Sequence, residues 1–336
     1  MLKRSYFAAA NGYSGFRSYF DSIFIPEKYR RIFVLKGGPG TGKSTLMKRI
    51  AYYADNEDID YEKIHCSSDP DSLDGIIINT TSGCYAIVDG TAPHQRDAVI
   101  PGAIDTIINL GDSFNISYLE SQREKIINID KRKKDAYNAA YSYLHIAGEI
   151  KNKIGELITK SFNYEKAKHI ASTIESFTIA KKQTPQIALK SAFGKGGYYT
   201  LKDFASTETI FRISGKYGEE MEFLRLLLDN ARQKYDCISF DPLSQRDPDA
   251  AISSNVYFTC TTELGAEFDA GECLNVTVSR EELEFLKETH NSTLKIAQKH
   301  FENAALLHSE LEDIYRDAMD FTHNDRIINE IINCII

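Results

Sequence analysis

The chain has 336 residues, enough for two domains of ordinary size that each bury a hydrophobic core. Its 42% hydrophobic and 26% charged residues are typical of a soluble protein, and no apolar run approaches the roughly 18 residues that a membrane span requires. Because the net charge is -8 and extended nucleic-acid surfaces need clustered Lys and Arg, nucleic acid is not the expected partner. The N-terminus carries no signal-peptide core, so we expect a cytoplasmic protein.

The first half alternates strands and helices in the order expected of a parallel α/β sheet. Strands are predicted over residues 31–36, 61–66 and 84–88, with a helix over 43–54 between the first two. From about 118 to 177 the sequence is charged and free of proline. This pattern predicts a helical insertion, with a hairpin of two long helices as its expected form.

A glycine-rich loop directly follows the first strand and directly precedes the helix. Gly37, Gly42, Lys43 and Ser44 meet the pattern G-x4-G-K-[S/T], in the strand-to-helix context that the pattern requires. Such glycines let backbone N–H groups turn toward phosphate oxygens, and the helix N-terminus adds a partial positive charge. The predicted phosphate-binding residues are Gly37, Gly38, Pro39, Gly40, Thr41, Gly42, Lys43, Ser44 and Thr45. The competing interpretation is a loop of this shape that binds nothing.

The loop chemistry also predicts a magnesium site. The Lys43 ammonium is expected against the β and γ phosphates, and the Ser44 hydroxyl on Mg²⁺. Asp89 ends the apolar run 85–88 and is the expected carboxylate partner of the metal, although an aspartate there is also a common turn residue. Because no Asn-Lys-x-Asp pattern follows Asp89, adenine is favoured over guanine. The predicted ligands are therefore ATP and Mg²⁺.

The group that would activate an attacking water is harder to assign. Many ATP hydrolases carry a glutamate directly after the Walker B aspartate, whereas this chain has Gly90. Asp69 follows the second strand and is our candidate base, with turn or capping chemistry as the competing explanation. The other polar candidates at this edge, each with a structural alternative, are Asp71, Asp74, His65, His94 and Arg96.

The second half resembles a diverged copy of the first. Residues 32–40 match 210–218 at a displacement of 178 positions, because Phe33 corresponds to Phe211, and the same displacement brings 69–71 onto 247–249. We therefore predict two tandem P-loop NTPase-like parallel-sheet units, each with a helical appendage. The first (1–185) is the active domain with the insertion at 118–177, and the second (186–336) is degenerate with a helical C-terminal region. Chance similarity between two α/β units is the alternative.

The second copy of the loop has lost its phosphate chemistry. At the displacement of 178, Glu220, Met221 and Glu222 stand where the first copy has Gly42, Lys43 and Ser44. Because carboxylates repel phosphate, we expect one active and one inactive nucleotide site. Three arginines of the second copy are candidates to reach the first nucleotide across the interface: Arg212, Arg246 and Arg280. The amphipathic tail 326–332 is expected to pack on its own domain.

These motifs resemble the P-loop NTPase superfamily over about residues 31–110. The combination of residues 37–45, 65–69 and 89–94 with a degenerate second copy is similar to a family of bacterial tandem P-loop ATPase-like proteins, and this likeness spans nearly the whole chain. The resemblance implies ATP binding and an ATPase-like activity, but it brings no substrate or pathway with it.

The sequence is compatible with three functions. The leading hypothesis is a slow Mg-dependent ATPase that acts as a nucleotide-driven switch and moves the helical appendages. A small-molecule or nucleotide kinase is the second, because kinases with this loop often lack the glutamate after the Walker B aspartate. The third is a non-catalytic ATP-sensing adaptor that presents its charged helices to a protein partner.

Overall fold

In a computed structural model the chain forms two α/β units, each built on a six-stranded sheet. The structure describes residues 3–93, 95–175, 184–207, 209–231, 234–244, 246–261, 267–275 and 279–335. The end of the predicted insertion (176–177) and residues 178–183, which precede the predicted domain boundary after residue 185, lie outside these residues. In the described part, no helix is both long enough and apolar enough to cross a bilayer.

The elements of the first unit occupy the chain up to Glu175. Its strands are β1 (Lys3–Phe7), β2 (Ala9–Gly12), β3 (Gly15–Ser18), β4 (Arg31–Lys36), β5 (Asp60–His65), β6 (Leu73–Thr80), β7 (Gly83–Asp89) and β8 (Asp105–Asn109). Its helices are α1 (Phe20–Ile23), α2 (Lys43–Asn56), α3 (Ile116–Ser121), α4 (Arg123–Ser161) and α5 (Tyr164–Glu175), with 3-10 turns at Pro26–Lys28 and Leu110–Ser113.

The second unit repeats this succession of elements. Its strands are β9 (Gln186–Ile187), β10 (Ser191–Gly194), β11 (Gly197–Thr200), β12 (Ile210–Ser214), β13 (Cys237–Phe240), β14 (Pro248–Ile252), β15 (Tyr257–Thr261) and β16 (Phe268–Asp269). Its helices are α6 (Glu219–Ala231), α7 (Arg280–Asp317) and α8 (Thr322–Ile335), with a 3-10 turn at Ala270–Cys273.

Both sheets are mixed, so the prediction of purely parallel sheets is wrong. The first sheet has the order β1-β5-β6-β7-β4-β8, and the second has the corresponding order β9-β13-β14-β15-β12-β16. β6 runs antiparallel to both β5 and β7, whereas β4 is parallel to β7 and β8. Only Thr81 and Ser82 separate β6 from β7. A parallel pair would need a crossover of a dozen or more residues, so this short connection forces the antiparallel arrangement.

The strand registers of the two units also correspond. Ile32 pairs with Ala86 in the first sheet, and Ile210 pairs with Tyr257 in the second. The β5–β6 pair of the first sheet and the equivalent β13–β14 pair of the second each contain one register shift, at Ile64/His65 and at Ser239/Phe240. This agreement in order, register and irregularity is compatible with two tandem units.

One of the two sequence matches at the displacement of 178 is not structurally equivalent. His65 pairs with Leu73 at the first register shift, and Phe240 pairs with Pro248 at the second. Pro248 therefore corresponds to Leu73, and not to Pro70, which lies in a turn before β6. The Asp-Pro-Asp match is a coincidence of residue types, and the correct displacement there is 175.

The two long helices pair with each other across the two units. Tyr137 and Tyr141 of α4 make edge-to-face contacts with Phe301 of α7, and Ile129 near the start of α4 shares a core with Leu311 near the end of α7. The pair is therefore antiparallel. The predicted hairpin within residues 118–177 is wrong, because an apolar stripe on a helix does not identify its partner.

The helices that follow α4 and α7 pack on the opposite unit. Ile327, Ile328 and Ile331 of α8 share a core with Leu46 and Ile50 of α2 in the first unit. The tail 326–332 thus packs on the other unit and not on its own. In the same way α5 packs against α6 of the second unit. A further core between the two sheets contains residues of both units.

Candidate functional site

The glycine-rich loop joins the carboxyl end of β4 to the first residue of α2. Gly40 (φ 71°) and Gly42 (φ 86°) both adopt the left-handed backbone region, which glycine enters without the steric penalty of a side chain. Gly42 is the N-cap of α2, and the buried Thr41 hydroxyl donates to the Gly38 carbonyl at 2.9 Å. The loop sequence therefore gives a tight turn that ends at the positive end of a helix.

Lys43 and Asp89 face each other at this end of the sheet. The Lys43 ammonium donates to the carbonyls of Gly37 (3.1 Å) and Gly38 (2.9 Å), and it lies 3.6 Å from Asp89 Oδ2. Their side chains are only 11% and 14% exposed. Asp89 Oδ1 accepts hydrogen bonds from the Thr91 backbone and hydroxyl, so this residue is both a turn former and the partner of Lys43.

The other predicted metal ligand lies in the first turn of α2. Ser44 Oγ accepts a hydrogen bond from the Leu73 backbone N–H at 2.9 Å, and Thr45, the next residue, is exposed. Among the described residues no group of three or more His, Cys, Asp or Glu side chains could hold a metal ion. Any ion held by Ser44 and Asp89 would therefore need further oxygen ligands from phosphate or water.

Helices α7 and α8 of the second unit cover the outer side of the loop. A Cβ atom added to Gly40 would lie 2.5 Å from the Glu312 backbone oxygen, and one added to Gly38 would meet the Tyr315 ring. Asn324 is 7% exposed and donates to the Thr41 carbonyl at 3.0 Å. The loop is thus packed between its own sheet and the second unit, which sequence reasoning did not foresee.

The remaining predicted site residues differ in their burial and in their contacts. Asp69 lies in a turn. Its backbone carbonyl accepts a hydrogen bond from the Ser72 N–H, and its carboxylate forms an ion pair with Lys195. His65 Nδ1 contacts the Pro70 carbonyl at 2.6 Å, and Arg96 is buried 3.4 Å from Asp105. His65 and Arg96 therefore have structural partners. Asp71 is exposed, Asp74 is buried within β6, and His94 lies outside the described residues.

Lys195 and His308 are the site residues that sequence reasoning missed. Lys195 stands at the tip of the β10–β11 hairpin and reaches Asp69 Oδ2 at 2.7 Å. Desolvation, together with the charges of Lys133, Lys43 and Lys195, lowers the pKa of His308 to about 4, although 46% of its side chain is exposed. The sequence feature that could have identified Lys195 is its position among the glycines of residues 194–197, which are typical of a hairpin tip.

The corresponding loop of the second unit is two residues shorter. β12 ends at Ser214 and α6 begins at Glu219, directly after Gly218, which has φ 114°. Gly218 thus corresponds to Gly42, and Glu219 stands in the place of Lys43. The displacement of 178, which set Met221 against Lys43, is wrong by two residues at this point because it ignored the deletion.

A protein carboxylate occupies the backbone donors of this second loop. Glu219 is buried, and its two carboxylate oxygens accept from Lys216 N and Tyr217 N, each at 2.8 Å. Burial and the neighbouring Glu219 carboxylate raise the pKa of Glu220 to about 7. At the end of β15, Cys260 stands in the register position of Asp89.

Two of the three candidate arginines lie away from the first loop. Arg212 pairs with Glu267 of its own unit at 3.2 Å. Arg280 begins α7, whereas Glu312 and Tyr315 lie near its end, roughly 50 Å along the helix axis. Arg246 lies in the connection between β13 and β14 of the second unit.

A pocket of about 700 Å³ opens near the loop. One wall follows β8 and includes Asp112, Phe114 and Asn115, and the other is the link between α7 and α8. The Phe114 ring lies 5.5 Å from that of Tyr315, the residue that packs on Gly38. Phe114 of the pocket wall is thus connected to the loop through Tyr315, although none of the residues 37–45 lines the pocket itself.

No protein-family model, curated protein or solved structure matches this chain.

Proposed function

We propose that the chain binds ATP with magnesium on residues 37–45 and hydrolyses it slowly as a nucleotide-driven switch. The observation that carries the proposal is the nearly buried Lys43 ammonium at the N-terminus of α2, held by two loop carbonyls beside Asp89. Phosphate oxygens are stronger acceptors for an ammonium than neutral carbonyls. A triphosphate would therefore gain both Lys43 and the loop N–H groups.

Magnesium fits the oxygen donors at this site. The Ser44 hydroxyl and the Asp89 carboxylate are hard oxygen ligands, and Mg²⁺ is commonly held by one or two protein groups together with phosphates. Ser44 Oγ accepts one hydrogen bond and retains a further lone pair for a cation. The bound ion would neutralise charge on the β and γ phosphates.

The nearby pocket supports a nucleoside ligand. Its volume of about 700 Å³ lies within the usual range for small-molecule sites. It is bounded by Phe114, and Asn115 and Asp112 supply polar groups. We assign the ribose and base to this pocket.

The contacts of the loop with the second unit support a switch. Lys43 must leave the carbonyls of Gly37 and Gly38 when it meets phosphate, and Gly38 and Gly40 pack on α7. A ligand shifts a conformational equilibrium only through such differential contacts. Nucleotide binding is therefore expected to alter the packing of α7 and α8 on the loop.

Binding and turnover can be tested with one matched pair of variants. ATP affinity and phosphate release are measured for the wild type, for Lys43→Ala and for Lys48→Ala, an exposed lysine one turn further along α2. We expect Lys43→Ala to bind ATP at least about a hundredfold more weakly, because a charge-assisted contact in a largely buried site is lost. Lys48→Ala should match the wild type. Equal ATP affinity in all three proteins would refute the assigned site.

A kinase is the second candidate, and a specific contact favours it. A Cβ atom at Gly90 would lie 2.5 Å from Val34 Cγ1, so the position after Asp89 cannot accept the glutamate of many ATP hydrolases without rearrangement. Phosphate release without an acceptor supports the ATPase, and turnover only with an added metabolite supports the kinase. Tight ATP binding without any turnover would instead indicate an adaptor.

A further inference from the structure

The tip of the β10–β11 hairpin contacts the first unit at residues 67–69, which follow β5. A Cβ atom at Gly194 would lie 2.7 Å from the Ser67 oxygen and 2.9 Å from the Ser68 oxygen, so only glycine permits this approach. Asn11 holds the hairpin from the other side, because its amide donates to the Phe193 carbonyl at 2.9 Å. The hairpin tip therefore has a fixed position over the turn that follows β5.

Lys195 extends from this tip to a carboxylate at the site edge. Its ammonium lies 2.7 Å from Asp69 Oδ2, and its side chain is 40% exposed. The other carboxylate oxygen of Asp69 is buried and, among the described residues, has no hydrogen-bond partner. Both side chains of this ion pair are about 40% exposed, so water can replace the lysine at Asp69 Oδ2 at low cost.

The charges of Lys195 and Lys43 converge on one region. Both act on the His308 imidazole, together with Lys133, and the charges of both Lys43 and Asp69 act on Glu312. The turn that Lys195 contacts leads directly to the predicted magnesium ligand, because the Ser72 N–H donates to the Asp69 carbonyl at 2.8 Å and the Leu73 N–H donates to Ser44 Oγ at 2.9 Å. A triphosphate on the loop is an anion of more than one charge, which can be contacted by both ammonium groups.

The duplicated hairpin provides an internal comparison. The β2–β3 hairpin places its tip near Pro242 of the second unit, as the β10–β11 tip lies on Ser67. At the position of Lys195 the β2–β3 tip carries Tyr13, which hydrogen-bonds Glu149 and packs on Gly148. The hairpin that contacts the first unit thus carries a lysine at its tip. The hairpin that contacts the second unit, whose loop is filled by Glu219, carries an uncharged tyrosine there.

We propose that Lys195 of the second unit contacts the terminal phosphate of the nucleotide on the first unit, leaving Asp69 when ATP binds. The proposal rests on the proposed ATP function and deepens it. It assigns the second unit a chemical role, because the charge that distinguishes ATP from ADP comes from across the interface. Asp69, which the sequence suggested as a base, holds this lysine until the nucleotide arrives.

The test compares affinities for ATP and ADP in the presence of Mg²⁺. Calorimetric titrations are made with the wild type, Lys195→Ala, Lys195→Arg and the control Lys202→Ala, an exposed lysine just beyond the same hairpin. Lys195→Ala should bind ATP roughly tenfold to a hundredfold more weakly, since one charge-assisted contact is lost. Its ADP affinity should stay within about twofold of the wild type, because ADP lacks the contacted phosphate. Lys195→Arg should keep most of the ATP preference, and Lys202→Ala all of it.

The outcomes separate this inference from the proposed function. An unchanged ratio of ATP to ADP affinity in Lys195→Ala, with ATP binding still lost in Lys43→Ala, would overturn the role of Lys195 alone. Equal losses for ATP and ADP in Lys195→Ala would also overturn it, because they indicate a general structural effect. Wild-type protein that binds neither nucleotide would overturn the proposed function itself.

Discussion

The loop at residues 37–42 and its counterpart at 215–218 lie at the same place in two sheets of the same strand order, yet they present opposite charges. Lys43 directly follows the first loop, and Glu219 directly follows the second. The Glu219 carboxylate accepts hydrogen bonds from the N–H groups of Lys216 and Tyr217. The comparison shows that the same fold accommodates a loop whose backbone donors are filled by a carboxylate of the chain itself. Backbone donors at a helix N-terminus need an acceptor, and either a ligand or a glutamate can provide it.

The two units also differ in what they contribute across their interface. Helices α7 and α8 cover the first loop, and the β10–β11 hairpin brings Lys195 to Asp69 in the turn that follows β5. The second unit therefore forms part of the first unit's site, although its own loop is filled. Four predictions test this comparison, from the largest expected effect to the smallest.

The buried carboxylates of the second loop should make stability depend on pH. The folded-state pKa of Glu220 is about 7, above its ordinary value of 4.5, so its contribution to stability is present below pH 4.5 and lost as pH rises through 7. Replacing it by glutamine removes this loss. We expect Glu220→Gln to gain roughly 2 kcal/mol more at pH 8 than at pH 5, measured by urea unfolding. The exposed control Glu57→Gln should show no such difference, and an equal effect of Glu220→Gln at both pH values would contradict the burial of this charge.

Two glycine substitutions compare the packing of the two loops. Gly40→Ala places a side chain at φ 71° and 2.5 Å from the Glu312 oxygen, whereas Gly218→Ala adds one at φ 114° with nothing within 4 Å. Backbone strain affects both variants, and the contact with α7 affects only the first. The free energy of unfolding should fall by about 2 kcal/mol for Gly40→Ala and by about 1 kcal/mol for Gly218→Ala. Equal losses would mean that α7 does not press on the first loop.

Asn324 is the hydrogen-bonded contact of α8 with the first loop. Its amide donates to the Thr41 carbonyl from a buried position, so Asn324→Ala removes a buried hydrogen bond. We expect a loss of about 1 kcal/mol in the free energy of unfolding. Asn329→Ala, on the exposed side of the same helix, should stay within about 0.5 kcal/mol of the wild type. The prediction fails if both variants lose the same stability.

The surface ion pair beside this contact should matter least. Arg49 of α2 pairs with Asp325 of α8, and both side chains are more than half exposed. Exposed ion pairs are screened by water and salt. Asp325→Asn should therefore change the unfolding free energy by no more than about 0.5 kcal/mol, and added salt should reduce even this difference. A loss above about 1 kcal/mol would show that the pair is more shielded than its exposure indicates.

Local sequence patterns predicted the elements that carry the first loop. The strand ending at Lys36, the helix beginning at Lys43 and the strand ending at Asp89 each follow from an apolar run with a glycine or aspartate boundary. β6 was missed because its apolar run lies within a hairpin whose turn, Thr81-Ser82, lacks the usual glycine and asparagine pair. With β6 absent from the prediction, the sheet was taken to be parallel.

Contacts between the units could not be predicted from the sequence. Lys195 is separated from Asp69 by more than a hundred residues, and only the position of the hairpin brings them together. The apolar stripe of α8 fits any complementary face, so its residues do not reveal that α2 is the partner. The two-residue deletion before Glu219 was missed because a comparison of residue types aligns Gly218 with Gly40 as readily as with Gly42. Only the strand register and the start of the helix show which glycine it corresponds to.

The most direct measurement is a crystal structure of the chain soaked with a non-hydrolysable ATP analogue and Mg²⁺. We expect a single nucleotide, with its phosphates against Lys43 and its terminal phosphate in reach of Lys195. Between Ser214 and Glu219 the Glu219 carboxylate should keep its two backbone donors. Analogue bound at this second loop, with the first loop vacant, would contradict the account.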